Sequence, residues 1–137
     1  MLRLVAVDEG DMSIISAHMQ DAVMRREDLS FDAKRRRFGL VANRFIWNAL
    51  PEQKRCRVGL HFDDVASVKV QGLDLASRET VLSLLAINCE KVVGLSAYVT
   101  LAFSGNFSIR LEVDCINAAL DDLSTPWTTT KIPEHTI

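Results

Sequence analysis

The clearest feature of the chain is a strict alternation of apolar and polar residues through its middle. Between Arg55 and Phe62, four apolar residues occupy every second position: Cys56, Val58, Leu60 and Phe62. Successive side chains of a β-strand point to opposite faces of the sheet. The pattern therefore predicts a strand with one face in the core and the other in water.

A period of two recurs along much of the chain. It predicts strands over residues 2–7, 38–43 and 65–71, a strand that ends at residues 29–31, and a hairpin formed by residues 95–103 and 109–113. Turn residues separate these segments, including Ser104-Gly105-Asn106 in the hairpin. Residues 80–89 are apolar on every side, so periodicity leaves strand and helix both open there. Their length and β-branched content favour a buried strand.

Two segments have the spacing of amphipathic helices. Ile14, Ile15, His18 and Met19 form an apolar stripe that predicts a helix over about residues 11–22, with Asp11 as its N-cap. A second, short helix is predicted after Asp114, with four residues on its apolar face: Ile116, Ala119, Leu120 and Leu123.

The order of these elements predicts one α+β domain at residues 1–123, followed by an extended tail at residues 124–137. The domain is expected to hold a mostly antiparallel sheet of seven or eight strands, an N-terminal helix and a short C-terminal helix. This order resembles a pleckstrin-homology-like roll. Ten residues are predicted for the core: Leu4, Ile15, Leu40, Val58, Leu60, Phe62, Leu84, Leu101, Leu111 and Leu120.

The composition is that of a soluble globular protein, with 48% apolar and 25% charged residues in a chain of 137. No apolar run approaches the roughly 20 residues that span a bilayer, and the N-terminal apolar stretch is too short for a secretory signal. We therefore expect a cytoplasmic protein without a membrane span. The three cysteines, Cys56, Cys89 and Cys115, lie far apart in apolar-patterned segments and are expected to be buried, inert thiols.

The net charge of −2 conceals an uneven distribution. Residues 25–61 carry a formal charge of +6 and the remainder carries −8. If the strands around residues 36–46 and 54–62 pair, four arginines share one solvated face: Arg35, Arg37, Arg55 and Arg57. Such a face suits an acidic protein surface or a small phosphate-bearing ligand. The alternative is a solvated outer face whose arginines serve solubility and protect the sheet edge.

Nucleic acid is disfavoured as a partner for this face. Base stacking needs aromatic side chains beside the cations. Phe38 and Phe62 alternate onto the opposite, inward side. The overall acidity of the chain points the same way.

A second group of residues, His61, Asp63 and Asp64, raises the alternative of a small enzyme with a cleft at this point. A third ligand for a metal is missing, and no phosphate loop, dinucleotide fingerprint or nucleophile elbow occurs, so no metal and no cofactor are expected. The balance favours a non-catalytic binding module. A structural homodimer joined through a sheet edge or the tail is a third interpretation.

Several segments resemble a family of small bacterial proteins, mainly alphaproteobacterial, known as a DUF2948-like domain of unknown function. The resemblance rests on LRLVAVDEGDMSIISAHMQDAV, RRRFGLVANRFIW, RCRVGLHFDDVASVKVQG, VLSLLAINCE and SIRLEVDCINAALDDL. It implies a cytosolic protein, and it transfers no activity, cofactor or catalytic residue to this chain.

Overall fold

Strands dominate the part of the chain that the computed structural model describes, residues 1–72 and 79–129. Within these residues there are eleven strands and one α-helix, with short 3-10 turns at Arg26–Asp28 and Trp47–Ala49. In chain order the elements are β1 (Arg3–Ala6), α1 (Glu9–Met19), β2 (Val23–Arg25), β3 (Leu29–Asp32), β4 (Arg37–Phe45), β5 (Lys54–Phe62), β6 (Val65–Gln71), β7 (Val81–Lys91), β8 (Ala97–Phe103), β9 (Phe107–Val113), β10 (Ala118–Asp122) and β11 (Trp127–Thr128).

All strand pairs are antiparallel, and they join into one sheet with the order β1-β10-β5-β4-β2-β7-β8-β9-β6. Two short strands lie off this path, because β3 pairs with β4 and β11 pairs with β5. β6 begins three residues after the end of β5, and at its start the amide of Val65 donates to the carbonyl of Arg36, the residue before β4.

The alternation that predicted the central strands is also what builds the core. In β5, Cys56, Val58, Leu60 and Phe62 are buried, while Arg57 between them is exposed. Nine of the ten residues predicted for the core are buried, and the tenth, Leu4, is partly buried against it. The antiparallel sheet and the in–out arrangement of β5 are therefore confirmed.

The N-terminal helix is confirmed, with different ends from those predicted. Its N-cap is Asp8 rather than Asp11, because Asp8 Oδ1 accepts a hydrogen bond of 2.7 Å from the amide of Asp11. The helix buries Met12, Ile15 and Met19 against the sheet, whereas Ile14, predicted to face inward, is 52% exposed. It packs on β7, where the amide of Ile87 donates to Ser16 Oγ.

The predicted C-terminal helix is wrong. Residues Ala118–Asp122 form β10, which lies between β1 and β5 in the sheet. Ala118 and Leu120 face the core as alternate residues of a strand, and their pairing with two neighbouring strands outweighs the helical spacing of the sequence. The element order that resembled a pleckstrin-homology-like roll ended on that helix, so the resemblance is not confirmed.

The sheet is also larger than predicted, with eleven described strands instead of seven or eight. The additional strands are short ones, such as β2 and β11, whose few residues cannot show a period of two. Residues 80–89 lie almost wholly within β7, which confirms the strand that their length favoured.

The tail joins the sheet through β11, since Trp127 and Thr128 pair with Arg55 and Lys54. Residues 130–137, the end of the predicted tail, lie outside the described residues. The division into a domain and a tail at residue 124 stays a prediction.

Candidate functional site

The outer face of β4 and β5 holds the residues on which both sequence-based hypotheses depend. The two strands pair with Asn43 opposite Arg57, Val41 opposite Gly59, and Gly39 opposite His61. Directly opposed residues point to the same face of a sheet. These six residues therefore form one continuous surface on the side away from the core.

Two adjoining clefts lie over this surface. The first, of about 510 Å³, lies over Asn43 and Arg57 and is walled by β2 and the turn that follows it, including Arg25, Glu27 and Asp28. The second, of about 320 Å³, lies over Gly39 and His61 and is bordered by Ser30, Asp121 and Leu123. Asp28 and Val41 line both clefts, so the two form one groove along the strands.

The floor of the groove is low because it contains glycine. A Cβ on Gly39 would meet nothing closer than 3.8 Å, so the surface there is open. A Cβ on Gly59 would lie 3.4 Å from Leu123 Cδ1, so the second glycine makes room for the leucine that borders the groove.

The four arginines of the predicted basic face do not form one cluster. Arg37 and Arg57 lie on the same face, but Arg57 pairs with Asn43, six residues further along β4. At about 3.3 Å per residue this places them about 20 Å apart. Arg35 lies in the turn between β3 and β4, 3.8 Å from the carboxylate of Asp32.

Arg37 instead contacts Asp63, one of the residues of the enzyme hypothesis. Its Nε donates to Asp63 Oδ1 at 2.7 Å, and its Nη2 lies 3.5 Å from Asp63 Oδ2. His61 Nδ1 lies 3.2 Å from the same Oδ2, with an angle too poor for a hydrogen bond. Asp63 is thus held between a guanidinium and an imidazole at the end of the groove.

Asp64 is turned away from this group. Its backbone is in the left-handed region at φ 59°, and its Oδ2 accepts hydrogen bonds from Asn117 Nδ2 and Cys115 Sγ. The bond from Asn117, then that from Cys115, hold the pKa of Asp64 below its usual value. The structure therefore brings His61 and Asp63 together and separates Asp64 from them.

Arg55 is partly buried, and its guanidinium is engaged by backbone carbonyls and by an aromatic ring. Its Nη1 donates to the carbonyls of Asn43 and Asp21 at 3.0 and 3.3 Å, and its guanidinium lies 5.4 Å from the ring centre of Phe45. Burial lowers the pKa of Arg55, and the negative charge of Asp21 offsets this in part.

Arg57 is the member of the four that is left available. Its side chain is exposed, lines the first cleft, and has no ionic or hydrogen-bonding partner among the residues that the structure describes. Asn43 lies directly opposite, so a charged donor and an amide stand side by side on the floor. The alternation in the sequence places Asn43 and Arg57 on the outer faces of β4 and β5. Only the register of the two strands shows that these residues lie directly opposite each other.

The walls of the first cleft were missed at the sequence level. Glu27 lies 3.7 Å from Arg25, and Asp28 accepts a hydrogen bond from the amide of Arg25. These residues reach the groove because β2 pairs with β4 at Val23 and Asn43. A strand of three residues leaves no periodic signal, so its neighbour could not be identified from the sequence.

Two of the three thiols, those of Cys89 and Cys115, have a raised pKa. Burial, and then the charge of Glu9, raise the pKa of Cys89 to about 11. The hydrogen bond to Asp64 raises the pKa of Cys115. Cys56 is fully buried, and its Sγ lies 3.0 Å from the carbonyl of Ser124. A reactive cysteine requires a lowered pKa.

Residues 1–72 and 79–129 contain no group of three or more His, Cys, Asp and Glu side chains placed to hold a metal ion. No helix within the same ranges is long and apolar enough to cross a membrane.

Comparison with known proteins identifies the family. A family model described as "Protein of unknown function (DUF2948)" matches residues 2–135, nearly the whole chain, and the sequence-based resemblance is thereby confirmed. Neither the curated proteins nor the solved structures yielded a match to this chain.

Proposed function

We propose that this protein, which belongs to the DUF2948 family, is a non-catalytic interaction module that binds an extended, acidic segment of a partner protein. The binding surface is the groove on the outer face of β4 and β5. The proposal rests on Arg57, an exposed guanidinium on the floor of a cleft of about 510 Å³ without an ionic partner among the described residues.

The lining of the groove supports a peptide rather than a polyanion. Two cations, Arg25 and Arg57, share the first cleft with two carboxylates, Glu27 and Asp28. A polypeptide carries backbone N–H groups that can donate to carboxylates, and one acidic side chain can pair with Arg57. A nucleic acid carries a negatively charged phosphate on every nucleotide, and these phosphates would be repelled by the same carboxylates.

The dimensions of the groove also suit a short extended segment. It runs over three cross-strand pairs, from Asn43–Arg57 to Gly39–His61. Four residues of strand cover about 13 Å, so a partner segment of about five residues in extended conformation fills it. Gly39, which has no side chain and open space above it, lets such a segment approach the backbone of the sheet.

The test is a selection of acetylated pentapeptides for binding to the full chain. We expect the selected peptides to share an Asp or Glu at one fixed position. We expect them to lose at least tenfold in affinity for Arg57→Gln, because a charge-assisted hydrogen bond is lost. Arg35→Gln is the matched control, since Arg35 is an exposed arginine of the neighbouring turn that lies outside both clefts.

Near-ultraviolet circular dichroism of each variant confirms that the fold is retained. Selected peptides that lack an acidic residue, or that bind Arg57→Gln as tightly as the parent protein, would overturn the proposal. Equal losses for Arg35→Gln and Arg57→Gln would overturn it as well, because they would indicate a general charge effect.

A small enzyme beside His61 and Asp63 is the second candidate. It is favoured by the contact between these two side chains at the end of the groove. Ser30 lines the same cleft, but it is two strands away from His61, with Gly39 between them, which places their Cα atoms about 10 Å apart. Hydrolysis of p-nitrophenyl acetate and p-nitrophenyl phosphate tests this candidate. If the parent protein hydrolyses these two esters at the same rates as His61→Ala, the enzyme candidate is excluded.

A further inference from the structure

The opposite end of the sheet carries a row of polar residues that no sequence pattern singled out. On the outer face of β6, β9 and β8, Lys69 lies directly opposite Arg110, and Arg110 lies directly opposite Thr100. The next row places Gln71 opposite Ser108. All five residues border a cleft of about 440 Å³, together with Val70.

The composition of this cleft differs from that of the groove on β4 and β5. Its lining holds a lysine, an arginine, an amide and two hydroxyls, and it contains no carboxylate. Neither Lys69 nor Arg110 has an ionic partner within residues 1–72 and 79–129. Like charges directly opposite each other across two strands destabilise a sheet unless something negative lies between them.

Among the described residues, Glu112 is a carboxylate on this same face, and it is already engaged. Glu112 stands two residues from Arg110 on β9, and its Oε2 accepts a hydrogen bond of 3.1 Å from Ser67 Oγ. Arg110 in turn lies 4.3 Å from the ring centre of Tyr98, a cation–π contact that restricts the guanidinium. An arginine held in this way loses less entropy when it binds an anion.

We propose that this cleft binds the phosphate group of a small phosphomonoester. A guanidinium donates two parallel hydrogen bonds to two phosphate oxygens, and the ammonium of Lys69 neutralises the second charge. The hydroxyls of Thr100 and Ser108 and the amide of Gln71 supply donors to the remaining oxygens. Arg110 covers the face of Tyr98, the aromatic residue beside it, so the site does not offer a stacking platform for nucleic-acid bases.

The test uses inorganic phosphate and phosphoserine as probes. Their binding to the full chain is measured from the changes in its amide chemical shifts at constant ionic strength. We expect saturable shifts confined to β6, β9 and β8 around Lys69, Arg110 and Thr100. We expect the affinity to fall at least tenfold in the double variant Lys69→Gln/Arg110→Gln. Arg35→Gln is the control, and we expect it to leave phosphate binding unchanged, because Arg35 lies in the turn between β3 and β4 and does not line this cleft.

Thermal unfolding separates binding from a structural role. Phosphate is expected to raise the Tm of the parent protein and not that of the double variant. Without phosphate, Lys69→Gln is expected to leave the Tm unchanged or to raise it, because it removes a repulsion. A marked fall in Tm without phosphate would show that Lys69 has a structural role and would overturn the proposal.

Three other outcomes would overturn it. Acetate at equal ionic strength could produce the same shifts, the shifts could spread over all charged residues, or the double variant could bind phosphate as the parent does.

Co-sedimentation with vesicles containing phosphatidic acid distinguishes the source of the phosphate, and we expect no binding. Vesicle binding without a response to the soluble probes would contradict a small phosphomonoester. The outcome is independent of the peptide groove, because neither Lys69 nor Arg110 lines either of its two clefts.

Discussion

Arg44 and Asp122 form a two-point ion pair inside the fold, with Nε 2.9 Å from Oδ1 and Nη2 3.1 Å from Oδ2. Only 9% and 6% of the two side chains are exposed. The same carboxylate accepts a hydrogen bond from the amide of Leu2. Because β5 lies between β4 and β10, the pair connects two strands that do not pair directly and fixes the start of the chain to them.

Removing either partner of this pair is expected to be costly. Arg44→Met leaves the buried carboxylate of Asp122 without its cation, and Asp122→Asn leaves the buried guanidinium of Arg44 facing a neutral amide. Each is expected to lower the free energy of unfolding by about 3–5 kcal/mol. The double variant Arg44→Met/Asp122→Leu is expected to lose less free energy of unfolding than the sum of the losses in the two single variants. Urea denaturation of all variants measures the coupling.

The exposed pair Arg3–Asp121 is the matched control, since Arg3 Nε lies 2.7 Å from Asp121 Oδ1 but the arginine side chain is 82% exposed. Arg3→Gln is expected to lower the free energy of unfolding far less than Arg44→Met does, because solvent screens an exposed ion pair. Similar losses for Arg3→Gln and Arg44→Met would contradict the role assigned to burial.

The same pair makes stability depend on pH. Burial acts to raise the pKa of Asp122, but the hydrogen bonds from Arg44 and the Leu2 amide and the charge of Arg44 outweigh it, so the folded pKa lies below its usual value. A lowered carboxyl pKa stabilises the fold above the unfolded value of about 3.9, and this stabilisation is lost as the pH falls through the folded pKa.

We therefore expect the difference in unfolding free energy between the parent protein and Asp122→Asn to be constant from pH 7 to pH 5. Below about pH 4 the difference should shrink, because the unfolded parent chain then binds a proton at Asp122 that the folded protein does not yet bind. Urea denaturation at intervals of one pH unit measures it. A difference that stays constant down to pH 2.5 would refute the assignment.

Gly72 provides a test of the turn that follows β6. Its φ is 78°, and a Cβ at this position would overlap the carbonyl oxygen of Asn106. Gly105 has the same φ, but its Cβ would meet nothing within 4 Å. Gly105→Ala therefore adds only the left-handed backbone penalty of about 1 kcal/mol.

Gly72→Ala adds a clash with the backbone to that penalty, so we expect it to destabilise the protein by clearly more than Gly105→Ala does. Comparison of the two denaturation midpoints checks this. Equal denaturation midpoints for the two variants would contradict this prediction, because they would show that the backbone around Asn106 moves to admit the Cβ without loss of stability.

Cys89 is expected to react slowly in the folded protein. With a pKa of about 11, two units above its ordinary value of 9.0, its thiolate fraction at pH 8 is about a hundredfold lower than that of an unperturbed thiol. Pulsed alkylation with iodoacetamide, read by mass spectrometry, measures the rate in buffer and in urea. A rate in buffer equal to the rate in urea would contradict the raised pKa.

The sequence determined the residues whose environment is local and periodic. The alternation of Cys56, Val58, Leu60 and Phe62 was sufficient to predict β5, its buried face and the exposure of Arg57, because the period of a strand is two whatever its neighbours are. The length of the apolar run at residues 80–89 was likewise enough to favour β7.

The tertiary structure decided which of these surfaces meet. Helical spacing in the segment of Ala118 and Leu120 gave way to a strand because β1 and β5 offer hydrogen bonds on both sides, which no local pattern can record. The register of β4 on β5 set Arg37 on Asp63 and left the Arg57 side chain without an ionic partner among residues 1–72 and 79–129, and the register of β6 on β9 set Lys69 opposite Arg110. Charge along a sequence therefore identified the arginines, whereas their availability depends on partners that only the pairing of distant strands supplies.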